Sequence, residues 1–180
     1  KLKAGKLQGG VVGTQMSNQG LQEALTDIGI PFHRAPVGDR YVMEELLKRK
    51  WLLGGEASGH ILCLDQTSTG DAIVACLQVL LACRSLGQPL EELRKGVVKY
   101  PQHMVNVPTK GPVNGDALGR LSTIISQIEE TLGTKGRVVL RASGTESVVR
   151  VMVEGENASI VVQLAETLAF EAEKEFSKIV

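Results

Sequence analysis

The chain has 180 residues, of which 43% are hydrophobic and 3% are aromatic, and its 20 basic residues equal its 20 acidic residues in number. A net charge of zero gives no electrostatic reason to expect nucleic acid or an anionic membrane as a partner. No apolar run approaches the roughly 20 residues that span a bilayer, and the N-terminus lacks the order of a signal peptide, so we expect a cytoplasmic protein.

The cysteines are odd in number and form no CxxC pair, which fits a reducing compartment. We expect Cys63, Cys76 and Cys83 to be small buried hydrophobic residues. Cys76 and Cys83 are seven positions apart and share a face of a predicted helix.

The first half of the chain alternates short apolar runs with helical patterns, which predicts a parallel sheet covered by helices. Strands are expected at residues 9–14, 30–34, 51–55 and 61–64, with nothing before the first strand to pair with it. Helices are expected after caps at Ser17 or Asn18, after Gly38, and after Thr69. We expect the last of these, which runs to Leu86, to be buried against the sheet because it is apolar on most faces.

The composition changes at Tyr100-Pro101. We place a domain boundary between Gly96 and Pro101, which gives domains at 1–98 and 99–180. The second domain is expected to contain a strand near 103–107, a helix over 116–132, two strands joined by a polar loop, and a helix over 157–179. On that last helix, Ile160, Val161, Leu164, Leu168 and Phe170 are predicted to share one side. The order predicts a small α+β domain with helices on one face of an antiparallel sheet.

The loop between the last two strands is suited to a phosphate. Arg141, Ser143, Gly144 and Thr145 offer a guanidinium, two hydroxyls and a glycine that lets backbone N–H groups approach an anion, and Arg150 adds a second guanidinium. Each charge-assisted hydrogen bond contributes roughly 1.5–3 kcal/mol once water is excluded. The alternative is a polar hairpin turn with solvated arginines.

A second loop places Glu56, Ser58 and His60 within five positions between two short strands. A carboxylate beside a hydroxyl can hold vicinal sugar hydroxyls, and an imidazole can assist proton transfer or pair with phosphate. The alternative is an ordinary polar loop in which His60 packs. A hydrolase triad is excluded, since Ser58 and His60 are too close in sequence and no GxSxG surrounds the serine.

Two other polar patterns carry less weight. His33, His60 and His103 show no metal-ligand spacing with the cysteines or carboxylates. The segment from Thr67 to Asp71 is polar enough for a phosphate, but its simplest role is to begin the helix that follows.

Together the two loops resemble the sugar-binding and phosphate-binding loops of the α-D-phosphohexomutase family. The segments that carry the resemblance are Gly55–His60 (Gly-Glu-Ala-Ser-Gly-His), Thr69–Asp71 (Thr-Gly-Asp), Arg141–Glu146 (Arg-Ala-Ser-Gly-Thr-Glu) and Arg150–Glu154 (Arg-Val-Met-Val-Glu). The segments that resemble its bacterial phosphoglucosamine mutase branch are Gly9–Thr14 (Gly-Gly-Val-Val-Gly-Thr), Val37–Val42 (Val-Gly-Asp-Arg-Tyr-Val) and Tyr100–Gln102 (Tyr-Pro-Gln). The resemblance runs from end to end of the chain.

The resemblance implies a truncated α/β/α three-layer domain, the third of four, followed by the whole fourth domain, a small α+β domain. The family's catalytic phosphoserine loop and its magnesium loop are absent. The abrupt opening and the unpaired first strand agree with a C-terminal fragment, whose partners are the remaining N-terminal domains of the same polypeptide and a phosphosugar substrate.

The implied activity is the interconversion of glucosamine 6-phosphate and glucosamine 1-phosphate, on the route to UDP-N-acetylglucosamine and peptidoglycan. The full-length enzyme is expected to use Mg²⁺ and a sugar-bisphosphate activator, neither bound by residues of this fragment. Glu56 and Ser58 are expected to hold sugar hydroxyls, and His60 to line the site and assist proton transfer. The residues expected to bind the phosphate that is not transferred are Arg141, Ser143, Gly144, Thr145 and Arg150. The fragment alone is predicted to be inactive.

Two positions depart from the branch. Pro36 stands where a lysine is common, so we do not count on a cationic substrate contact from the third domain at this position. Ser147 stands where a proline is common, which should leave the phosphate loop less rigid but removes no donor. Two other functions stay open: a phosphomannomutase or phosphoglucomutase of the same family, and a non-catalytic phosphosugar-binding module.

Overall fold

The computed structural model describes residues 1–111, 113, 115–143 and 146–177, and the chain divides into two compact units, Lys1–Lys99 and Tyr100–Val180. Each unit has its own sheet and its own hydrophobic core. The predicted fold class, an α/β part followed by an α+β part, is confirmed.

The first unit alternates strands and helices. Its elements are β1 (Val11–Thr14), α1 (Gln19–Asp27), β2 (Phe32–Ala35), α2 (Asp39–Arg49), β3 (Leu53–Gly55), β4 (Ile61–Cys63), α3 (Ala72–Leu86), α4 (Leu90–Leu93) and the 3₁₀ turn Arg94–Gly96. The strand order is β2-β1-β3-β4, with β1 parallel to β2 and β3, and β4 antiparallel to β3.

Two expectations about this sheet are wrong. The first strand is not unpaired, because β1 lies between β2 and β3. The sheet is not wholly parallel either. Only residues 56–60 separate β3 from β4, and a parallel connection needs a crossover of a dozen or more residues, so these two strands form a hairpin.

Helices α1 and α2 cover opposite faces of this sheet. Neighbouring residues of a strand point to opposite faces of the sheet. On β2, the His33 Nε2 atom lies 3.2 Å from Glu45 Oε2 on α2. The next residue, Arg34, donates from Nε to Gln22 Oε1 on α1 at 3.0 Å. The α2 side holds the buried core of Val12, Ala35, Val42, Leu46 and Leu62. The unit therefore has the layers of an α/β/α arrangement.

Helix α3 differs from its prediction in two ways. Its cap is Asp71, whose carboxylate accepts from the N–H groups of Ile73 and Val74 at 2.8 and 2.9 Å, and not Thr69. The helix is also largely exposed. Only Ala75 is buried in it, because a helix that is apolar on every side can turn only one side toward its unit. Its large side chains that are more than half exposed are Ile73, Leu77, Leu80 and Leu81.

The cysteine prediction holds for one residue of the three. Cys63 on β4 is buried, and burial raises the pKa of its thiol. Cys83 is half-buried and Cys76 is exposed, since both lie on α3. The expectation of three buried cysteines is wrong for Cys76.

Among the helices of the described ranges, none alone is long and apolar enough to cross a membrane. Helix α3 and the segment Leu90–Gly96 pass such a test only as a pair, by length and composition, with a bend of 87° between them.

The second unit packs helices on one face of an antiparallel sheet. Its elements are β5 (Gln102–Pro108), α5 (Gly115–Gly119), α6 (Ser122–Leu132), the 3₁₀ turn Gly133–Lys135, β6 (Gly136–Ala142), β7 (Val148–Gly155) and α7 (Ala158–Ser177). The strand order is β5-β7-β6, and both pairs are antiparallel. The strand residues that pack against α6 and α7 are Val105, Val107, Val138, Leu140, Val149, Val151 and Val153.

Two details of this unit correct the predictions. The helix expected over 116–132 is broken after Gly119, where Leu121 leaves helical geometry with φ −89° and ψ 0°. On α7, Ile160 and Phe170 are exposed. The buried side of α7 is built largely from small residues, which a pattern of large apolar side chains overlooks: Val161, Ala165, Leu168, Ala169, Ala172 and Phe176.

Candidate functional site

The Glu56–His60 segment forms the turn of the β3–β4 hairpin. Glu56 N donates to His60 O at 2.9 Å, and Gly59 N donates to Glu56 O at 3.1 Å. Gly59 has φ +99°, a conformation that favours glycine. This turn holds the three predicted sugar-binding side chains within one short loop.

The Glu56 carboxylate has partners on both oxygens. Its Oε1 accepts from Gly38 N at 2.9 Å, and its Oε2 lies 3.6 Å from His60 Nδ1. The Glu56 side chain is 9% exposed, whereas that of His60 is 63% exposed. The Ser58 hydroxyl lies 3.5 Å from His60 Nδ1, so the structure brings all three side chains together.

The hairpin lies where a ligand site is expected in an open α/β sheet. In the order β2-β1-β3, the chain adds β2 on one side of β1 and β3 on the other. Open α/β sheets bind ligands at such a switch point, outside the carboxyl ends of the strands. Glu56 follows the carboxyl end of β3, and Gly38 follows that of β2. The hydrogen bond between these two residues shows that their loops meet at this edge.

Sequence reasoning missed the contact between Glu56 and Gly38. Gly38 has φ +133° and is the N-cap residue of α2. The N–H groups at the start of a helix have no acceptor within it, so the Gly38 N–H can donate to a carboxylate. The available signal was the Val-Gly-Asp segment before an apolar helical pattern. Pro36 lies exposed in the same loop, and its ring offers no hydrogen-bond donor.

The second predicted loop joins β6 to β7. Arg141 and Arg150 are directly opposite each other in the strand pairing, so both side chains lie on the same face of the sheet. Ser143 N donates to Val148 O at 2.9 Å, and the Ser143 hydroxyl accepts from Glu146 N at 3.2 Å. The remaining predicted residues, Gly144 and Thr145, lie outside the described residues.

The two arginines form a cationic pair with unused donors. Arg150 donates to Glu146 Oε2 at 2.7 Å, but the Nε atoms of Arg141 and Arg150 are buried and make no hydrogen bond with the residues that the structure describes. Desolvation and the neighbouring Arg150 charge lower the pKa of Arg141. A bound anion would supply acceptors for these donors and compensate the repulsion.

Among the residues that the structure describes, neither a metal-binding cluster nor the groove between α6 and α7 involves the predicted site residues. The described part of the chain contains no group of three or more His, Cys, Asp or Glu side chains placed to hold a metal ion. A groove between α6 and α7 is lined by Arg120, Ile124, Glu171 and Lys174 among others, and none of the predicted site residues lines it.

Comparison with protein families gives two matches. Residues 1–100 match the model described as phosphoglucomutase/phosphomannomutase, alpha/beta/alpha domain III. Residues 91–170 match that of the phosphoglucomutase/phosphomannomutase C-terminal domain.

Among curated relatives, the chain is 57% identical over 168 residues to the phosphoglucosamine mutase of Thioalkalivibrio sulfidiphilus, covering 92% of this chain and 37% of that protein. It is 54% identical over 167 residues to that of Pseudomonas paraeruginosa, covering 93% and 38%. The chain therefore spans well under half the length of these relatives.

Solved structures resemble the chain in fold. The Aspergillus fumigatus N-acetylphosphoglucosamine mutase matches with a TM-score of 0.78 and 21% identity, covering 96% of this chain and 40% of that one. A structure of the same protein in complex with GlcNAc-6P and magnesium matches with a TM-score of 0.76 and 20% identity, covering 96% of this chain and 40% of that one. A structure described as a putative phosphomannomutase from Thermus thermophilus matches with a TM-score of 0.63 and 21% identity, covering 96% of this chain and 38% of that one.

Proposed function

Because the chain belongs to the phosphoglucomutase/phosphomannomutase family, we propose that it is the part of a phosphoglucosamine mutase that binds the sugar and the phosphate that is not transferred. The whole enzyme interconverts glucosamine 6-phosphate and glucosamine 1-phosphate in the cytoplasm. The names of relatives at 57% and 54% identity support this choice of sugar. The observation that carries the proposal is the pairing of Arg141 with Arg150.

The proposed phosphate site consists of Arg141, Ser143, Gly144, Thr145 and Arg150. The two guanidinium groups supply charge, and the buried Nε atoms supply donors that lack an acceptor among the described residues. Fixing the distal phosphate orients the sugar, and orientation is a large part of what phosphoryl-transfer enzymes contribute.

The proposed sugar site is the hairpin turn with Glu56, Ser58 and His60. Ser58 and His60 are exposed and can reach a ligand, whereas Glu56 is held by Gly38 and offers its Oε2 side only. In this arrangement Glu56 holds a sugar hydroxyl while it orients the His60 ring. His60 is then available to move a proton at Nε2.

Magnesium and a sugar-bisphosphate activator belong, in this proposal, to the whole enzyme. A magnesium ion would neutralise charge on the phosphoryl group that is being transferred. The described residues offer no cluster for the ion, so no step of this proposal passes through it. We assign the catalytic serine and the metal loop to the remaining domains of the polypeptide, and we expect no mutase turnover from this chain alone in a coupled assay.

The test is an NMR titration of the ¹⁵N-labelled chain with glucosamine 6-phosphate, mannose 6-phosphate, glucose 6-phosphate and inorganic phosphate. We expect shifts at Ser143, Glu146 and Arg150 with all four compounds. Arg141→Met and Arg150→Met should weaken binding at least about tenfold, since each removes a charge-assisted hydrogen bond. Arg94→Met is the matched control, because it removes the same charge from an exposed position in the other unit.

The titration also separates the alternatives. Shifts at Ser58 and His60 with the amino sugar alone support the glucosamine assignment, whereas equal shifts with mannose and glucose phosphates favour a phosphomannomutase or phosphoglucomutase. Binding of phosphosugar by this chain, together with no mutase activity in the full-length protein, would favour a non-catalytic phosphosugar-binding module. Binding that Arg141→Met leaves unchanged would contradict the proposed phosphate site.

A further inference from the structure

The row of side chains that contains Arg141 and Arg150 continues onto the third strand. In the pairing of β5 with β7, Asn106 is directly opposite Arg150, as Arg141 is on the other side. Directly opposed residues of antiparallel strands lie about 4.5–5.5 Å apart and point to the same face of the sheet. Asn106, Arg150 and Arg141 therefore form one row across β5, β7 and β6.

This row lies on the face of the sheet that the helices leave open. The neighbours of Asn106 on its own strand, Val105 and Val107, pack into the core beneath α6 and α7. Since successive side chains alternate between faces, Asn106 points away from the helices. It is exposed, so its side-chain amide is accessible to a ligand.

An amide is well suited to stand beside this pair of arginines. A third cation would add to the repulsion between two guanidinium groups on neighbouring strands, and a carboxylate would repel an anion. The asparagine amide donates two N–H groups and carries no charge. A phosphate dianion has more acceptor sites than two guanidinium groups occupy.

We infer that Asn106 is a further ligand-binding residue of the anion site, donating its side-chain amide to an oxygen of the phosphomonoester that Arg141 and Arg150 hold. This inference rests on the proposed function, because it places Asn106 against the same phosphate. It extends the site from the β6–β7 loop to the β5 strand.

The experiment measures the Kd of the chain for inorganic phosphate and for glucose 6-phosphate, by NMR, with Asn106→Leu, Asn106→Asp and Met104→Leu variants. Asn106→Leu is expected to weaken binding about five- to tenfold by removing a hydrogen bond to a charged group. Asn106→Asp should weaken it further, because a carboxylate faces the phosphate. Met104→Leu is the control, since Met104 lies on the same strand and face, opposite Met152, and should bind normally.

A second readout comes from the unaltered chain, where the side-chain NH₂ signals of Asn106 should shift with phosphate and stay in place with chloride at equal ionic strength. Equal Kd values for Asn106→Leu and the unaltered chain would overturn this inference alone, provided that Arg141→Met loses binding. No binding of phosphate by the unaltered chain would overturn both this inference and the proposed phosphate site. Amide spectra of the variants verify that the sheet is intact.

Discussion

Arg141 and Arg150 are direct partners in the antiparallel pairing of β6 with β7, so two guanidinium groups project from neighbouring positions on one face of a sheet. Arg150 donates a hydrogen bond from Nη2 to Glu146 Oε2 at 2.7 Å, and this carboxylate offsets part of the Arg150 charge. Like charges directly opposite on a sheet destabilise it, and burial of their Nε atoms adds a desolvation cost. From these two costs we expect the pair to destabilise the sheet when no anion is bound, and a bound anion to offset the cost.

From this relationship we predict that Arg141→Met stabilises the chain in chloride buffer while it removes the stabilisation by phosphate. The gain in free energy of unfolding should be about 0.5–2 kcal/mol, the usual range for a single substitution that improves the charge distribution. Urea denaturation followed through the NMR signals of β7, with and without phosphate at constant ionic strength, measures both effects. A variant that is less stable than the unaltered chain in chloride would show that the pair is structural.

The hydrogen bond between Glu56 and Gly38 joins the two loops at the edge of the first sheet. We predict that Glu56→Ala increases the hydrogen-exchange rate of the Gly38 amide about tenfold, since the amide loses a charged acceptor. Glu56→Gln keeps an acceptor oxygen at this position and should retain most of the protection. If exchange at Gly38 is unaffected by Glu56→Ala, then the carboxylate is free to bind sugar with both oxygens.

The cap of α3 can be tested with a pair of neighbouring substitutions. Asp71→Ala should cost about 1 kcal/mol of unfolding free energy, because the N–H groups of Ile73 and Val74 lose their acceptor. Thr69→Ala, two residues earlier, should change it by less than about 0.5 kcal/mol. Urea denaturation monitored by the fluorescence of Trp51, the chain's one tryptophan, reports on this unit. The reverse order of costs would restore Thr69 as the cap.

Because α3 is largely exposed, we predict that a leucine-to-alanine substitution on α3 lowers the free energy of unfolding less than the same substitution on α2. Leu46 on α2 is 0% exposed and Leu77 on α3 is 57% exposed. Leu46→Ala should lower the free energy of unfolding by about 2–5 kcal/mol, whereas Leu77→Ala should change it by about 0.5 kcal/mol or less. The same fluorescence measurement applies to both variants. A cost above about 2 kcal/mol for Leu77→Ala would mean that α3 is packed in solution.

The sequence by itself determined the two-part fold class and the local turns in which the proposed binding residues lie. The turn over Glu56–His60 closes within five residues, and helix starts such as Asn18 depend on a side chain and an amide two positions away. Such features form between residues that are close in sequence, so residue type and spacing are sufficient to predict them.

Only the tertiary structure decided which side chains meet across strands and which are exposed. The pairing of Arg141 with Arg150, and of Arg150 with Asn106, depends on strand register, which a shift of one residue would abolish. The bond from Gly38 to Glu56 joins residues 18 positions apart through the order of the sheet. Burial also depends on neighbouring elements: the apolar pattern of α3 predicts a buried helix, yet the elements packed beside it cover only one of its sides.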